Sequence, residues 1–325
     1  MAMTSGVLVA AEIAADGSLR PISWEMISAG RAAGGPVTAV VFGPGAGARA
    51  AELAAAGPDR VLAVDDARIH TANPEAAASV ICAAQAACGA GVILMPGTTA
   101  GRDYAPKVAA RLGAPLAADC IAFAAEDGGL AATRSVLGGR ANSVVTVAGP
   151  VRAATVRAGS FARAAAGAGA AQVESLAVDF RPGDFRTSVA GTEAKSGGAT
   201  ALDGADVVVA GGRGLKEAAN FRLVEDLAAA FGGAVGATRA VVDAGWRQHH
   251  EQIGQTGRSV TPKLYIAVGV SGAVQHNVGM QGSDIVVAIN RDPDAPIFKL
   301  AHFGIVGDLF EVVPALAAEV RASRA

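Results

Sequence analysis

Several short segments of the chain set glycine beside side chains able to hold a phosphate or a sugar hydroxyl. Gly211–Gly212–Arg213–Gly214 follows an apolar run, Val207–Ala210, and opens an expected helix. Such a turn can present backbone N–H groups to an anion at a helix start, and Arg213 adds a fixed positive charge. It lacks the third glycine of the dinucleotide fingerprint, and Lys216 is out of register for a P-loop, so binding and plain structure stay equally open there. Ser271–Gly272–Ala273–Val274–Gln275–His276 follows another apolar run, Leu264–Val270. Between the two lies Gln252–Ile253–Gly254–Gln255–Thr256–Gly257, a hydrogen-bonding loop hinged by glycine. Asn290 ends the run Ile285–Ile289, and Asp308 stands at an expected helix start, where capping alone accounts for it.

One further glycine turn, Gly45–Ala46–Gly47–Ala48–Arg49–Ala50, follows the run Val37–Phe42, and Asp65 lies where an acid could meet a ribose. In a chain with 42 glycines a small-residue loop is the simpler reading. No hydrolytic or metal constellation competes with these turns. His70 and His302 are isolated, and the adjacent pair His249–His250 does not define a coordination geometry. Trp246–His250 reads as a solvated loop, and Met280 and Phe298 as core or interface residues.

Positioning these turns requires strand ends. Val7–Val9, Val37–Phe42, Val61–Val64 and Val92–Met95 are apolar without alternation and are separated by Ala-rich helical stretches such as Pro74–Ala87. That pattern predicts α/β structure with a mainly parallel sheet buried on both faces. From Cys120 to Val189 the runs Ala131–Leu137, Ser143–Val147 and Ala154–Arg157 follow one another without clear helices, which predicts an antiparallel addition. The polar, strandless stretch Gly191–Gly204 predicts a linker, drawn at 196–204. The expected architecture is therefore an N-terminal Rossmann-like α/β domain over 1–195 and a doubly wound parallel-sheet domain over 205–325. In the second, Ala219, Leu223, Leu227 and Phe231 form one helical stripe, closed by Gly232–Gly233. Ligands on such sheets collect outside the carboxyl ends of the strands, where the polar turns stand.

Composition limits the partners. The chain has 325 residues, 51% hydrophobic, a formal net charge of -2 and three cysteines. This charge offers no attraction for a nucleic acid or an anionic membrane surface. Cys82, Cys88 and Cys120 show no metal or redox spacing and read as reduced. The N-terminal segment reads as neither a signal nor a transit peptide, and the apolar stretches are broken by glycine and charge, so the expectation is a cytoplasmic protein with no integral membrane contact.

The runs VVVAGGRGLK, GATRAVVDAGW, QIGQTG, KLYIAVGVSGAVQH, VVAINRDPDAPIF and GIVGDLF occur in one order and spacing over Ala205 to Pro314. Together they resemble the alpha subunit of electron-transfer flavoproteins (the FixB family). Gly101–Arg102–Asp103 and Val156–Arg157–Ala158–Gly159 are looser matches in the first domain. The resemblance implies one FAD per heterodimer, extended across the second domain, and a partner beta subunit holding AMP or a second FAD. It implies electrons accepted from flavin dehydrogenases, typically acyl-CoA dehydrogenases of fatty-acid β-oxidation, and passed to a quinone oxidoreductase. The first domain is then expected to dock the beta subunit without a nucleotide of its own. Carried over to this sequence, Arg213 would meet the adenosine-phosphate side, Arg239 would lie over the flavin ring with Thr238 beside it, and Thr256 would reach N5. Gln255, Ser271 and Gln275 would bond phosphate or ribityl groups, His276 would donate to the pyrimidine edge, and Asn290, Asp308 and Leu309 would serve the adenosine. Ile253, Gly254, Gly272, Ala273 and Val274 complete the implied cofactor contacts. A fixed guanidinium suits this task because it stays charged and lies flat against a ring, and electron transfer needs no nucleophile from the protein. The rival reading is an NAD-dependent enzyme on a nucleotide-binding domain like that of deoxyhypusine synthase.

Overall fold

The computed structural model describes residues 6–70, 73–126, 128–137, 139, 141–165, 167, 171–191, 202 and 204–324. Most of the expected linker, 196–204, lies outside the described residues. Two compact units divide the chain, Met1–Ala194 and Lys195–Ala325.

The first unit contains β1 (Val7–Ala11), α1 (Pro21–Ala33), β2 (Val37–Phe42), α2 (Ala46–Ala55), β3 (Arg60–Val64), α3 (Pro74–Cys88), β4 (Val92–Pro96) and α4 (Thr99–Leu112). Then come β5 (Leu116–Glu126), β6 (Gly129–Val136), β7 (Ala141–Ala148), β8 (Arg152–Val156) and β9 (Gln172–Ser175). They form one sheet in the order β7-β6-β5-β8-β4-β1-β2-β3-β9. The β5–β6 and β6–β7 pairs are antiparallel, as the helix-free stretch predicted. β8 departs from that prediction: it pairs parallel with both β4 and β5 and so sits inside the sheet. Its Ala153, Ala154 and Val156 are fully buried, and a strand covered on both faces has no alternation by which sequence could tell an added hairpin strand from a central one. Separate apolar clusters cover the two faces of this sheet.

The second unit contains β10 (Val207–Gly211), α5 (Arg222–Phe231), β11 (Ala234–Thr238), α6 (Arg239–Asp243), β12 (Gln252–Ile253), β13 (Leu264–Val268), α7 (Val274–Asn277), β14 (Ile285–Asn290), β15 (Phe303–Val306) and α8 (Leu309–Arg324). Its sheet runs β12-β11-β10-β13-β14-β15, every pair parallel. The chain builds outward from β10 to β12, then crosses to the other side at β13, so the topological switch lies between β10 and β13. The predicted helical stripe is offset at its start. Ala218–Phe221 is a 3-10 turn, α5 begins at Arg222, and its buried residues are Val224, Leu227, Ala228 and Ala230. Its closing glycine is as expected: Gly232 takes φ 64°, a left-handed C-cap. Met280 is fully buried and Phe298 packs against the same cluster. No helix among the described residues is long and apolar enough to cross a membrane.

Candidate functional site

Strand ends of the second sheet converge on one crevice of about 580 Å³, a volume within the range of small-molecule and cofactor sites. Gly212 and Arg213 come from the end of β10, Thr238 and Arg239 from β11, Ile253 to Thr256 from β12, Ser271, Ala273, Gln275 and His276 from beyond β13, and Asn290 from β14. Of the expected contacts, Arg213, Thr238, Arg239, Ile253, Gly254, Gln255, Thr256, Ser271, Ala273, Gln275, His276 and Asn290 all line it. Asp308 and Leu309 line a smaller hollow of about 50 Å³, which shares Gly214, Gly269 and Asn290 with the main crevice. Gly272 and Val274 are not brought to it: Gly272 is packed against Ile297, and Val274 is 60% exposed at the start of α7.

The floor is bare backbone. A Cβ on Gly212 would stand 2.3 Å from the Gly269 carbonyl oxygen, and one on Gly214 would stand 2.7 Å from the Gly269 Cα. Only glycine lets the β10 and β13 turns touch, which is how such floors admit a phosphate closely. The first turn nevertheless departs from the expected anion seat. Its amides are used internally, Gly212 N–H donating to Val268 (2.9 Å) and Gly214 N–H to Gly269 (3.0 Å). The helix start also lies farther on, behind two 3-10 turns. Among the described residues, none of the amides from Ser271 to Gln275 is found donating to a protein acceptor.

Most of the polar lining faces outward. Arg213, Arg239, Gln255, Thr256, Ser271 and Gln275 are all exposed. Arg239 Nε donates to Asp243 (3.3 Å) within α6, an exposed pair and so one of small worth that a ligand can readily exchange. Thr256 Oγ1 accepts from the amide of Gln252 (3.0 Å), whose side chain is buried, which leaves the Thr256 hydroxyl proton free to donate. Asn290 donates to the Val270 carbonyl (2.9 Å), and Asp308 accepts from the Phe310 amide (2.9 Å) at the start of α8, both structural bonds.

His276 is the exception and corrects an expectation. It is 6% exposed, its Nδ1 lies 3.1 Å from the Ile253 carbonyl oxygen, and its Nε2 lies 2.8 Å from the hydroxyl of Tyr265. Both ring nitrogens are therefore engaged within the protein and neither is left to donate to a ligand. Burial pushes the imidazole down to about 4, so the ring is neutral at physiological pH. Gln252 and Tyr265 were not singled out from sequence; each lies within a quoted motif, but nothing in the residue type announced its contact.

The stretch Trp246–His250 is solvated only in part: Gln248 and His249 are exposed, whereas Trp246 and Arg247 are held. Arg247 bridges Glu225 and Glu251, its side chain 19% exposed, and its guanidinium lies over the Phe221 ring at 4.9 Å from the centroid. Trp246 packs against the unit's core. No metal-binding group of His, Cys, Asp or Glu occurs among the described residues. In the first unit the Gly45 turn is held by its own acid: Asp65 accepts from Gly45 N–H (3.0 Å) and Gly47 N–H (3.1 Å).

A model described as the electron transfer flavoprotein domain matches residues 7–180, and one described as the electron transfer flavoprotein FAD-binding domain matches 201–281. The chain belongs to the electron transfer flavoprotein alpha-subunit family. It is 40% identical over 306 residues to electron transfer flavoprotein subunit alpha of Syntrophomonas wolfei, covering 94% of this chain and 96% of that one. It is 38% identical over 322 residues to the subunit alpha of Bacillus subtilis, covering 98% of each. It is 39% identical over 326 residues to the protein FixB of Clostridium saccharobutylicum, covering 97% and 96%. Membership brings an electron-transfer role, a flavin-binding second unit and a heterodimer with a beta subunit. None of these findings supports the NAD-dependent alternative. The crevice suits the family's cofactor: a floor without side chains allows close approach, and two arginines with hydroxyl and amide side chains are the donors that a diphosphate and a polyol chain require.

Proposed function

We propose that this chain holds the single FAD of a heterodimeric electron carrier, which takes electrons from flavin dehydrogenases of the acyl-CoA type and delivers them to a quinone oxidoreductase. The observation that supports this reading is the convergence of the β10, β11, β12, β13 and β14 strand ends on one crevice rich in exposed donors. FAD supplies reversible one-electron chemistry when bound. The chain's own residues bind and orient it. Arg213, Ser271 and Gln275 provide donors for phosphate and ribityl oxygens, with Ala273 in the same turn. Arg239, released from Asp243, supplies a fixed positive charge against the ring, and Thr238 precedes it. Thr256 accepts from Gln252 and keeps its hydroxyl proton to donate, which suits a ring acceptor, while Ile253 and Gly254 shape the loop that carries it. Asn290, Asp308 and Leu309 frame the adenosine end. The first unit, Met1–Ala194, serves as the docking surface for the beta subunit, which carries AMP or a second FAD, and the heterodimer works in the cytoplasm.

Co-purification with the beta subunit tests the reading directly. A yellow heterodimer with one FAD assigned to this chain is expected, and its colour is lost when Ser271–His276 is disrupted. A folded but colourless heterodimer that ignores added FAD overturns it.

A further inference from the structure

Tyr265, near the start of β13, and His276, in α7, meet in the interior behind the crevice, both fully or nearly fully buried. The Ile253 carbonyl oxygen can only accept, so Nδ1 of His276 must carry a hydrogen. In the neutral ring Nε2 then holds a lone pair, and the Tyr265 hydroxyl is the donor that fills it. The opposite tautomer would set two lone pairs against each other across 3.1 Å. We propose that Tyr265 is a positioning residue of the cofactor crevice: its hydroxyl fills the Nε2 lone pair of His276 and so holds the buried ring in place, and that ring, through Nδ1–H, holds the Ile253 carbonyl and with it the loop carrying Gln255 and Thr256.

The surroundings make this bond consequential. The loop and the turn after β13 are in backbone contact: a Cβ on Gly254 would stand 2.7 Å from the Gln275 carbonyl oxygen, and one on Gly279 would stand 2.4 Å from the Gly254 nitrogen. Gln255 N–H donates to that same Gln275 carbonyl (2.7 Å). The imidazole thus closes a seam that has no slack, joining β13, β12 and α7. Burial alone depresses the imidazole, and no charged side chain contributes to the shift. His276 therefore gives the crevice no titrating cation, and Arg213 and Arg239 supply the positive charge of its lining.

The functional side of the proposal rests on the flavin reading, so its test has a readout independent of flavin. The probe is nitrogen-15 NMR of the heterodimer labelled at histidine, with and without FAD, assigned with His276→Gln. Wild type is expected to show His276 as neutral Nδ1–H from pH 8 to pH 5. Tyr265→Phe, which removes only the hydroxyl, is expected to keep the Nδ1–H tautomer, to shift the Nε2 resonance towards that of an unbonded lone pair, and to raise the FAD dissociation constant about tenfold, the size of one lost buried hydrogen bond. An Nε2–H ring or an imidazolium at pH 7 in wild type overturns the proposal whether or not the variant folds. So does a Tyr265→Phe heterodimer with unchanged spectrum, or one with a changed spectrum but unchanged affinity. A wild-type heterodimer that binds no FAD overturns the flavin reading instead, and the nitrogen spectrum still decides the tautomer.

Discussion

Replacing Gly254 by alanine should unseat the crevice loop without removing any side chain that lines it. Gly254 holds φ at 140°, a region that side-chain-bearing residues rarely adopt, which costs about 1–3 kcal/mol for alanine. The added Cβ would also lie 2.7 Å from the Gln275 carbonyl oxygen and 3.3 Å from the His276 Cα, so the loop must move away from the turn after β13. That movement strains the Gln255 N–H bond to Gln275 (2.7 Å) and the imidazole bond to Ile253 (3.1 Å), each worth about 1 kcal/mol net. Together these give about 2–4 kcal/mol against the seated loop, or about 30- to 1000-fold in FAD affinity. FAD titration of the apo-heterodimer by flavin fluorescence reads this directly, with far-UV circular dichroism to show that the sheet persists. A Gly254→Ala heterodimer that binds FAD within about threefold of wild type refutes the reasoning, because the loop would then not require that backbone.

Two further outcomes are expected elsewhere. Arg247→Met leaves the largely buried Glu251 without its cation and should destabilise the second unit by about 2–4 kcal/mol in urea melts, with Glu251→Gln in the same chain recovering most of the loss. Glu12, just past β1, is buried and accepts from the Thr98 hydroxyl (2.6 Å), and burial raises its pKa against the lowering effect of Thr98 and Arg20. A carboxyl whose folded pKa is raised contributes stability below its unfolded value near 4.5, and that contribution is lost as pH rises through the folded value. Glu12→Gln has no charge to bury, so its Tm should match wild type near pH 4 and exceed it by about 2–4 °C at pH 8.

Much of the architecture could be read in the residues, and what escaped has identifiable causes. Strands buried on both faces, such as Val7–Ala11 and Val207–Gly211, announce themselves as unbroken apolar runs. β11 and β12 do not, because Ala234–Thr238 is built from small residues and Gln252–Ile253 is only two residues long. The exposed edge strand Phe303–Val306 has neither alternation nor flanking turn clusters. Within the crevice, types and spacing located Arg213, Thr256, Ser271 and Gln275, since polar residues after apolar runs mark strand ends. They could not show that Gly212 and Gly214 spend their amides on β13, or that His276 turns inward. Tyr265 looks like any aromatic in a strand, and its partner is set by how β13 packs against α7, which no local pattern records. Arg247 was read as solvated because its partners Glu225 and Glu251 are joined to it only by the fold.

The Asp65 carboxylate has a consequence for how the first unit meets the nucleotides around it. An acid delivered to the Gly45 and Gly47 amides by its own chain acts as an intramolecular competitor, and even flexible tethers give effective concentrations in the millimolar range. Here the tether is a folded sheet, and Asp65 Oδ2 stands 3.2 Å from where a Gly47 Cβ would be, so the resident anion is already seated. A free nucleotide must displace it and leave it unpaired. The glycine turn of the first unit is thus insulated from the metabolic state of its surroundings, while the crevice of the second offers its donors outward.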